Sequence, residues 1–325
     1  MRLATLRDGS RDGKLIVVSR DGLRGIDASA AAPTLQTALD DWDRTQPSLL
    51  RLSVELHRGS PAAFELELDK LMAPLPRAAE FVDGSAYLNH VRLVRRARLA
   101  DPPSTLESDP LVYQGGSSDM LGSREPFRLA DEAFGLDLEA ELGVVLGDTP
   151  RGTTAAQAGQ HVRLFVCFND WTYRNLVPDE LAKGFGFFVS KPATSFAPFA
   201  VTPDELGEAW QNGKLDGTMY VAVDDQPLGD TRTGPEMHFS FFQLIEHISQ
   251  TRRFGPGTIV GSGTISNAAS ERGVSCLQER RAVETIASGS PRTPFLRAGS
   301  RVSIEFRLPT GDTPFGAIQQ RVVAS

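Results

Sequence analysis

The run Leu136–Leu146 constrains this chain more than any other stretch. Leu138, Ala140 and Leu142 alternate with Glu139 and Glu141, and Val144, Val145 and Leu146 follow. A period of two predicts a strand with both glutamates on one face and the apolar side chains on the other. Further β-favouring runs at Val162–Phe168, Thr218–Val223 and Ser300–Phe306 make strands the main element beyond residue 77. The expected class is therefore strand-dominated α+β. Helices are fewer in this part. His238–Gln250 places Phe241, Phe242, Leu244, Ile245 and Ile248 on one apolar face, and Thr202-Pro203-Asp204-Glu205 offers an N-cap threonine, a proline at the first helical position and a glutamate three residues after the cap.

The first 77 residues read as a small α/β unit. Leu15–Ser19, with Asp-Gly turns at Asp12-Gly13 and Asp21-Gly22, predicts an antiparallel meander. Leu35, Ala38, Leu39 and Trp42 share one helical stripe, and Pro47–Arg58 is a weaker second helix. Phe64, Leu66 and Leu68 alternate with Glu65, Glu67 and Asp69, the pattern of a strand, before Pro74 and Pro76. A boundary near residue 77 gives domains 1–77 and 78–325.

A length of 325 residues with 40% apolar content can bury a large core. The formal charge of −7 without a basic tract argues against nucleic acid and anionic membranes as partners, and favours a small diffusing substrate. Cys167 and Cys276 are the only cysteines and form no C-x-x-C pair, which points away from a disulfide framework or a thiolate metal site and towards a reducing cytoplasm. Met1–Ser10 has no apolar core behind it, and no window reaches the apolar length of a bilayer span, so a soluble, unprocessed protein is expected. There is no G-x-S-x-G elbow, phosphate loop or H-E-x-x-H. Gly184-Phe185-Gly186 and Gly261-Ser262-Gly263 read as tight turns.

Chemistry concentrates in acidic side chains. Two glutamates on one strand face repel each other unless a cation lies between them, and a hard divalent ion such as magnesium or calcium favours carboxylate oxygens. Spacing alone fits a solvated face equally well. Asp170 ends the apolar run at Val162–Phe168, where it is either a ligand at a fixed strand end or a turn cap. His90 has the side chain best suited to general base work at neutral pH. Arg92, Arg95, Arg96 and Arg98 form either a carboxylate-binding cluster or a solvated face.

Taken in order, Asp83, His90, Glu139-Ala140-Glu141, Asn169-Asp170-Trp171-Thr172-Tyr173-Arg174, Lys191 and Gly263-Thr264-Ile265-Ser266 resemble the fumarylacetoacetate hydrolase family, from about residue 79 to near the C-terminus. The resemblance implies one divalent cation held by Asp83, Glu139, Glu141 and Asp170, magnesium first, with calcium or manganese as alternatives. It implies His90 as the catalytic base, seven positions after Asp83, with Glu279 orienting it. Lys191 resembles the family lysine near the metal, with Lys183 as second choice. Arg174 resembles the arginine after the metal aspartate, and Tyr113 and Thr264 resemble substrate contacts. Two positions depart from the pattern of members that hydrolyse fumarylacetoacetate. Ser85 stands where a tyrosine is usual, with Tyr87 as a candidate substitute, and Val177 stands where a glutamine is usual.

The implied fold is a mixed β-roll preceded by a small α/β segment, commonly in homodimers. The implied reaction is hydrolysis of a carbon–carbon bond in a β-dicarbonyl acid, fumarylacetoacetate or an acylpyruvate, in tyrosine degradation or other aromatic catabolism. The alternatives are a hydratase, isomerase or decarboxylase on the same scaffold, and a noncatalytic β-rich binding protein.

Overall fold

A computed structural model describes residues 1–325. Its axis is the strand Val162–Asp170, buried along almost its whole length. Phe165 and Cys167 enter one core with Leu142, Val144, Ile304 and Phe306, while Leu164, Val166 and Phe168 enter a second core with Leu3, Val17, Leu39 and Leu49. A strand covered on both faces has no polar side to present, which explains the continuous apolar run in the sequence.

Val162–Asp170 pairs antiparallel with Ala140–Leu146 on one side and with Thr194–Phe196 and Ala200–Val201 on the other. Beyond Ala140–Leu146 come Thr258–Gly261, Glu80–Gly84 and Val112–Gly115. In the other direction Ala200–Val201 pairs with Arg2–Leu6, which leads to Lys14–Val18, Arg24–Asp27 and Phe64–Glu65. Residues 1–77 therefore share one twelve-stranded sheet and one core with the rest of the chain. A second sheet has the order Gln226–Arg232, Thr218–Val223, Arg301–Arg307, Ala317–Ala324, Phe127–Leu129. It turns Met219, Val221, Val302, Ile304, Phe306 and Ile318 into the first core. Each such fully buried side chain contributes roughly 1.5–3 kcal/mol before entropy is counted. The architecture is a strand-rich α+β fold.

Several elements end elsewhere than the sequence predicts. The first helix is Leu35–Asp40, capped by Thr34, and Trp42 opens a second helix, Trp42–His57, with Pro47 inside it. The reason is a single buried stripe, Trp42, Thr45, Leu49, Ser53 and Leu56, that starts five residues before Pro47. The strand expected over 64–69 shrinks to Phe64–Glu65, because Leu68–Lys70 form a tight turn that brings Leu71 against Leu6. Thr202 has no side-chain cap bond and gives its hydroxyl to the Met1 carbonyl. Phe241–Ser249 starts at Ser240, which forms a capping box with Gln243. No helix is long and apolar enough to cross a membrane.

Candidate active site

The run 136–146 is not one unbroken strand. Leu136–Asp137 pairs with Thr172–Tyr173, and Ala140–Leu146 pairs with Val162–Asp170. At the break the Glu139 amide donates to Asn169 Oδ1 at 2.8 Å and the Glu139 carbonyl accepts from the Asp170 amide at 3.0 Å. Glu139 and Glu141 are 4% and 0% exposed, which rules out a solvated face.

Three strand ends meet here. Asp83 closes Glu80–Gly84, Glu141 stands at the start of Ala140–Leu146, and Asp170 ends Val162–Asp170. All three are buried, and their carboxylate oxygens lie within 4.8 Å of one another. Neither Glu141 oxygen has a hydrogen-bond donor, and the Asp83 carboxylate is the neighbour with which it can share a proton. Burial, reinforced by Asp170, pushes Asp83 up to about 7. Burial and the charge of Asp83 hold Glu141 well above the usual carboxylate range. Burial also raises Asp170, against the opposing pull of Lys191.

Glu139 lies beside this triad and is neutralised differently. It accepts from Arg174 Nη2 at 2.6 Å, Thr264 Oγ1 at 2.8 Å, Thr172 Oγ1 at 3.1 Å and the Lys191 ammonium. Burial opposes its ionisation, yet Arg174 and Lys191 together keep it below the ordinary range. Lys191 Nζ also donates to Asp170 Oδ2 at 2.6 Å, and these two anions hold it protonated despite burial. Tyr113 donates its hydroxyl to Asp170, and its ring meets Phe187 edge-on at 5.1 Å.

The sequence left two lysines open. Lys191 is at the site, whereas Lys183 is exposed at the end of the helix Val177–Ala182. The backbone before Lys191 is fixed by Glu180, whose carboxylate accepts from the amides of Phe188, Val189 and Ser190 and from the Ser190 hydroxyl.

His90 sits on the helix Leu88–Ala97, and its Nδ1 is 2.8 Å from Glu279 Oε1. Its Nε2 is 4.0 Å from Glu139 Oε1, and the ring is 16% exposed against 2% for the Glu279 side chain. A buried carboxylate on Nδ1 selects the tautomer that leaves Nε2 as the free base. Asp83 and the glycines set the nearby loop. Gly263, at φ +75°, donates its amide to Asp83 Oδ1 at 3.1 Å.

Tyr87 does not replace the tyrosine missing at position 85. Its hydroxyl donates to the Thr233 carbonyl at 2.7 Å, and its ring lies in the core. Val177 is buried at the start of its helix. In the arginine cluster, Arg92 pairs with Glu107 and Arg95 donates to the Asp101 carbonyl, both at the surface. Sequence reasoning passed over Asp137, which is fully buried and bonded to Arg174 Nε at 2.8 Å. The signal was its parity with Glu139 and Glu141.

The profile described as fumarylacetoacetate (FAA) hydrolase C-terminal matches residues 80–323, and fumarylacetoacetase N-terminal domain 2 matches residues 1–77. A 2,4-didehydro-3-deoxy-L-rhamnonate hydrolase from Sphingomonas sp. (strain SKA58) is 28% identical over 162 residues, 49% of this chain and 54% of that protein. Among solved structures, fumarylacetoacetate hydrolase from Exiguobacterium antarcticum is 18% identical with a TM-score of 0.69, covering 100% of both chains. Maleylpyruvate hydrolase from Sphingobium sp. SYK-6, in complex with manganese(II) ion and pyruvate, is 18% identical with a TM-score of 0.67 and the same coverage. With both profiles matching almost end to end, the chain belongs to the fumarylacetoacetate hydrolase family.

Proposed function

We propose that the protein is a divalent-metal hydrolase that cleaves the carbon–carbon bond of a β-dicarbonyl acid, fumarylacetoacetate or an acylpyruvate. The observation that carries this reading is Glu141, a buried carboxylate with no donor on either oxygen, standing within one cage with Asp83 and Asp170 beside an oriented imidazole. Buried unpaired carboxylates are strongly disfavoured, and a hard cation is the partner that suits an all-oxygen donor set. Asp83, Glu141 and Asp170 would hold it, with Glu139 as the fourth ligand. The cation would supply Lewis-acid polarisation of adjacent substrate oxygens.

The chain's own groups account for the remaining steps. His90 Nε2, with Nδ1 held by Glu279, takes a proton from water as the water oxygen attacks the carbonyl beside the scissile bond. When the carbon–carbon bond breaks, its electron pair passes into the departing enolate. The Lys191 ammonium is a fixed donor that can stabilise that oxyanion, and the imidazolium returns its proton to the carbanion carbon. Two shorter acids result. Arg174 is spent on Asp137 and Glu139, so its part is to position Glu139. On the same reading the protein is a cytoplasmic homodimer acting on a diffusing oxo acid in aromatic catabolism.

Incubation with magnesium, manganese or calcium and a panel of fumarylacetoacetate and acylpyruvates tests this. Hydrolysis yields two shorter acids. An intact carbon skeleton or released carbon dioxide assigns an isomerase, hydratase or decarboxylase instead, and failure to bind any of the ions in calorimetry leaves a noncatalytic binding protein. His90→Ala is expected to lower kcat by at least ~100-fold with metal affinity unchanged. Retained activity in that variant removes His90 as the base.

A further inference from the structure

We infer that Asp137 is a positioning residue for the His90–Glu279 pair, acting by holding the first turn of the helix Leu277–Ser288 against the glutamate-bearing strand. The inference rests on the hydrolytic reading of that pair. Asp137 is 0% exposed, and a carboxylate there is tolerated only if its lone pairs are filled. Oδ1 accepts from the Leu138 amide at 2.8 Å and the Leu277 amide at 2.7 Å. Oδ2 accepts from the Gln278 amide at 2.9 Å and from Arg174 Nε at 2.8 Å.

Leu277 and Gln278 are the first two residues of their helix, and amides there have no acceptor within the helix. The local cap is a poor one. Of the helix amides Cys276 offers its sulfur to that of Glu279 alone, at 3.4 Å, with His90 Nδ1 4.0 Å from the same sulfur, and a thiol is a weak acceptor. The start of the helix is therefore held by a side chain 140 residues earlier. Glu279 is the next residue along, and its carboxylate is the one that touches His90 Nδ1. The negative charge of Asp137 also faces the positive end of the helix dipole. A loosened first turn shifts Glu279, and small misplacements of a catalytic pair are expensive in rate.

Asp137→Ala removes the anchor, and Asp137→Asn, which keeps the shape and one acceptor oxygen, guards against a variant that does not fold. Each is compared with the parent by kcat, KM, manganese affinity in calorimetry and the His90 imidazole N–H resonance in 15N-labelled protein. Expected for Asp137→Ala are a kcat lower by about tenfold or more, KM and manganese Kd within about threefold, and an imidazole resonance that broadens or moves upfield. Asp137→Asn should lie between. Adding Glu279→Gln to Asp137→Ala should lower kcat no further than Glu279→Gln alone, since both act through one pair. Full additivity, an unchanged imidazole resonance, or a parallel loss of manganese affinity through Arg174 and Glu139 would overturn the inference. Should Glu279→Gln alone leave kcat intact, the hydrolytic reading of the pair has failed. The imidazole resonance still decides whether Asp137 places Glu279.

Discussion

In the metal-free protein, raising pH through neutrality should destabilise the fold, and a divalent cation should restore it. Asp83 titrates at about 7 in the folded protein against an ordinary 3.8. A raised carboxyl binds its proton more tightly folded than unfolded. Its contribution is fully present below pH 3.8 and is lost as pH rises through 7. At 1.36 kcal/mol per pH unit the loss between pH 5 and 7 is about 2.7 kcal/mol. With an unfolding entropy of roughly 2.1 cal/mol/K per residue, a chain of this length should lose about 4 °C in Tm. Glu139, whose carboxyl is lowered by its two cations, acts with the opposite sign only below the ordinary carboxylate range, so it does not mask the effect between pH 5 and 8. The assay is differential scanning fluorimetry in chelator across pH 5–8, repeated at pH 8 with manganese, and with Asp83→Asn. The parent should show the slope, manganese at pH 8 should recover the lost Tm, and Asp83→Asn should show a shallower slope, since Glu141 and Asp170 are raised as well. A flat or rising Tm in chelator, or a slope that Asp83→Asn leaves unchanged, refutes the assignment of that proton to the carboxylate cage.

Two other substitutions give sharp outcomes. Gly263→Ala places a methyl against the Gly84 carbonyl oxygen at a positive φ, and should cost about 2 kcal/mol or more in chemical denaturation while weakening metal affinity by displacing the Asp83 loop. Tyr87→Phe removes only the bond to the Thr233 carbonyl, and should cost about 1 kcal/mol with kcat unchanged. A large fall in kcat would return Tyr87 to the active site.

The sequence disclosed the cage more readily than its supports. Glu141 and Asp170 lie on or just after runs legible as strands, whereas Asp83 is reached only through the family resemblance; sheet pairing brings the three strand ends together. Lys191 and Lys183 could not be separated by residue type. The distinction depends on Glu180, which ties down residues 188–190 and directs Lys191 inward. Asp137 shares the parity of Glu139 and Glu141, but its contacts with the Leu277 and Gln278 amides join distant parts of the chain and leave no local pattern. Tyr87 was misjudged because a hydroxyl two residues from the expected place meets the Thr233 carbonyl first. The second helix begins five residues before Pro47 because the buried stripe from Trp42 to Leu56 sets its extent.

Val162–Asp170 leaves little room for neutral substitution, since side chains on both of its sides are packed. Diversification of chemistry in a protein built this way falls to its periphery. Gly184, Phe185 and Gly186 stand clear of other atoms or in solvent, and the adjoining Phe187 rests on Tyr113. Such a division lets a fully packed scaffold keep its carboxylates in register while the rim tolerates change.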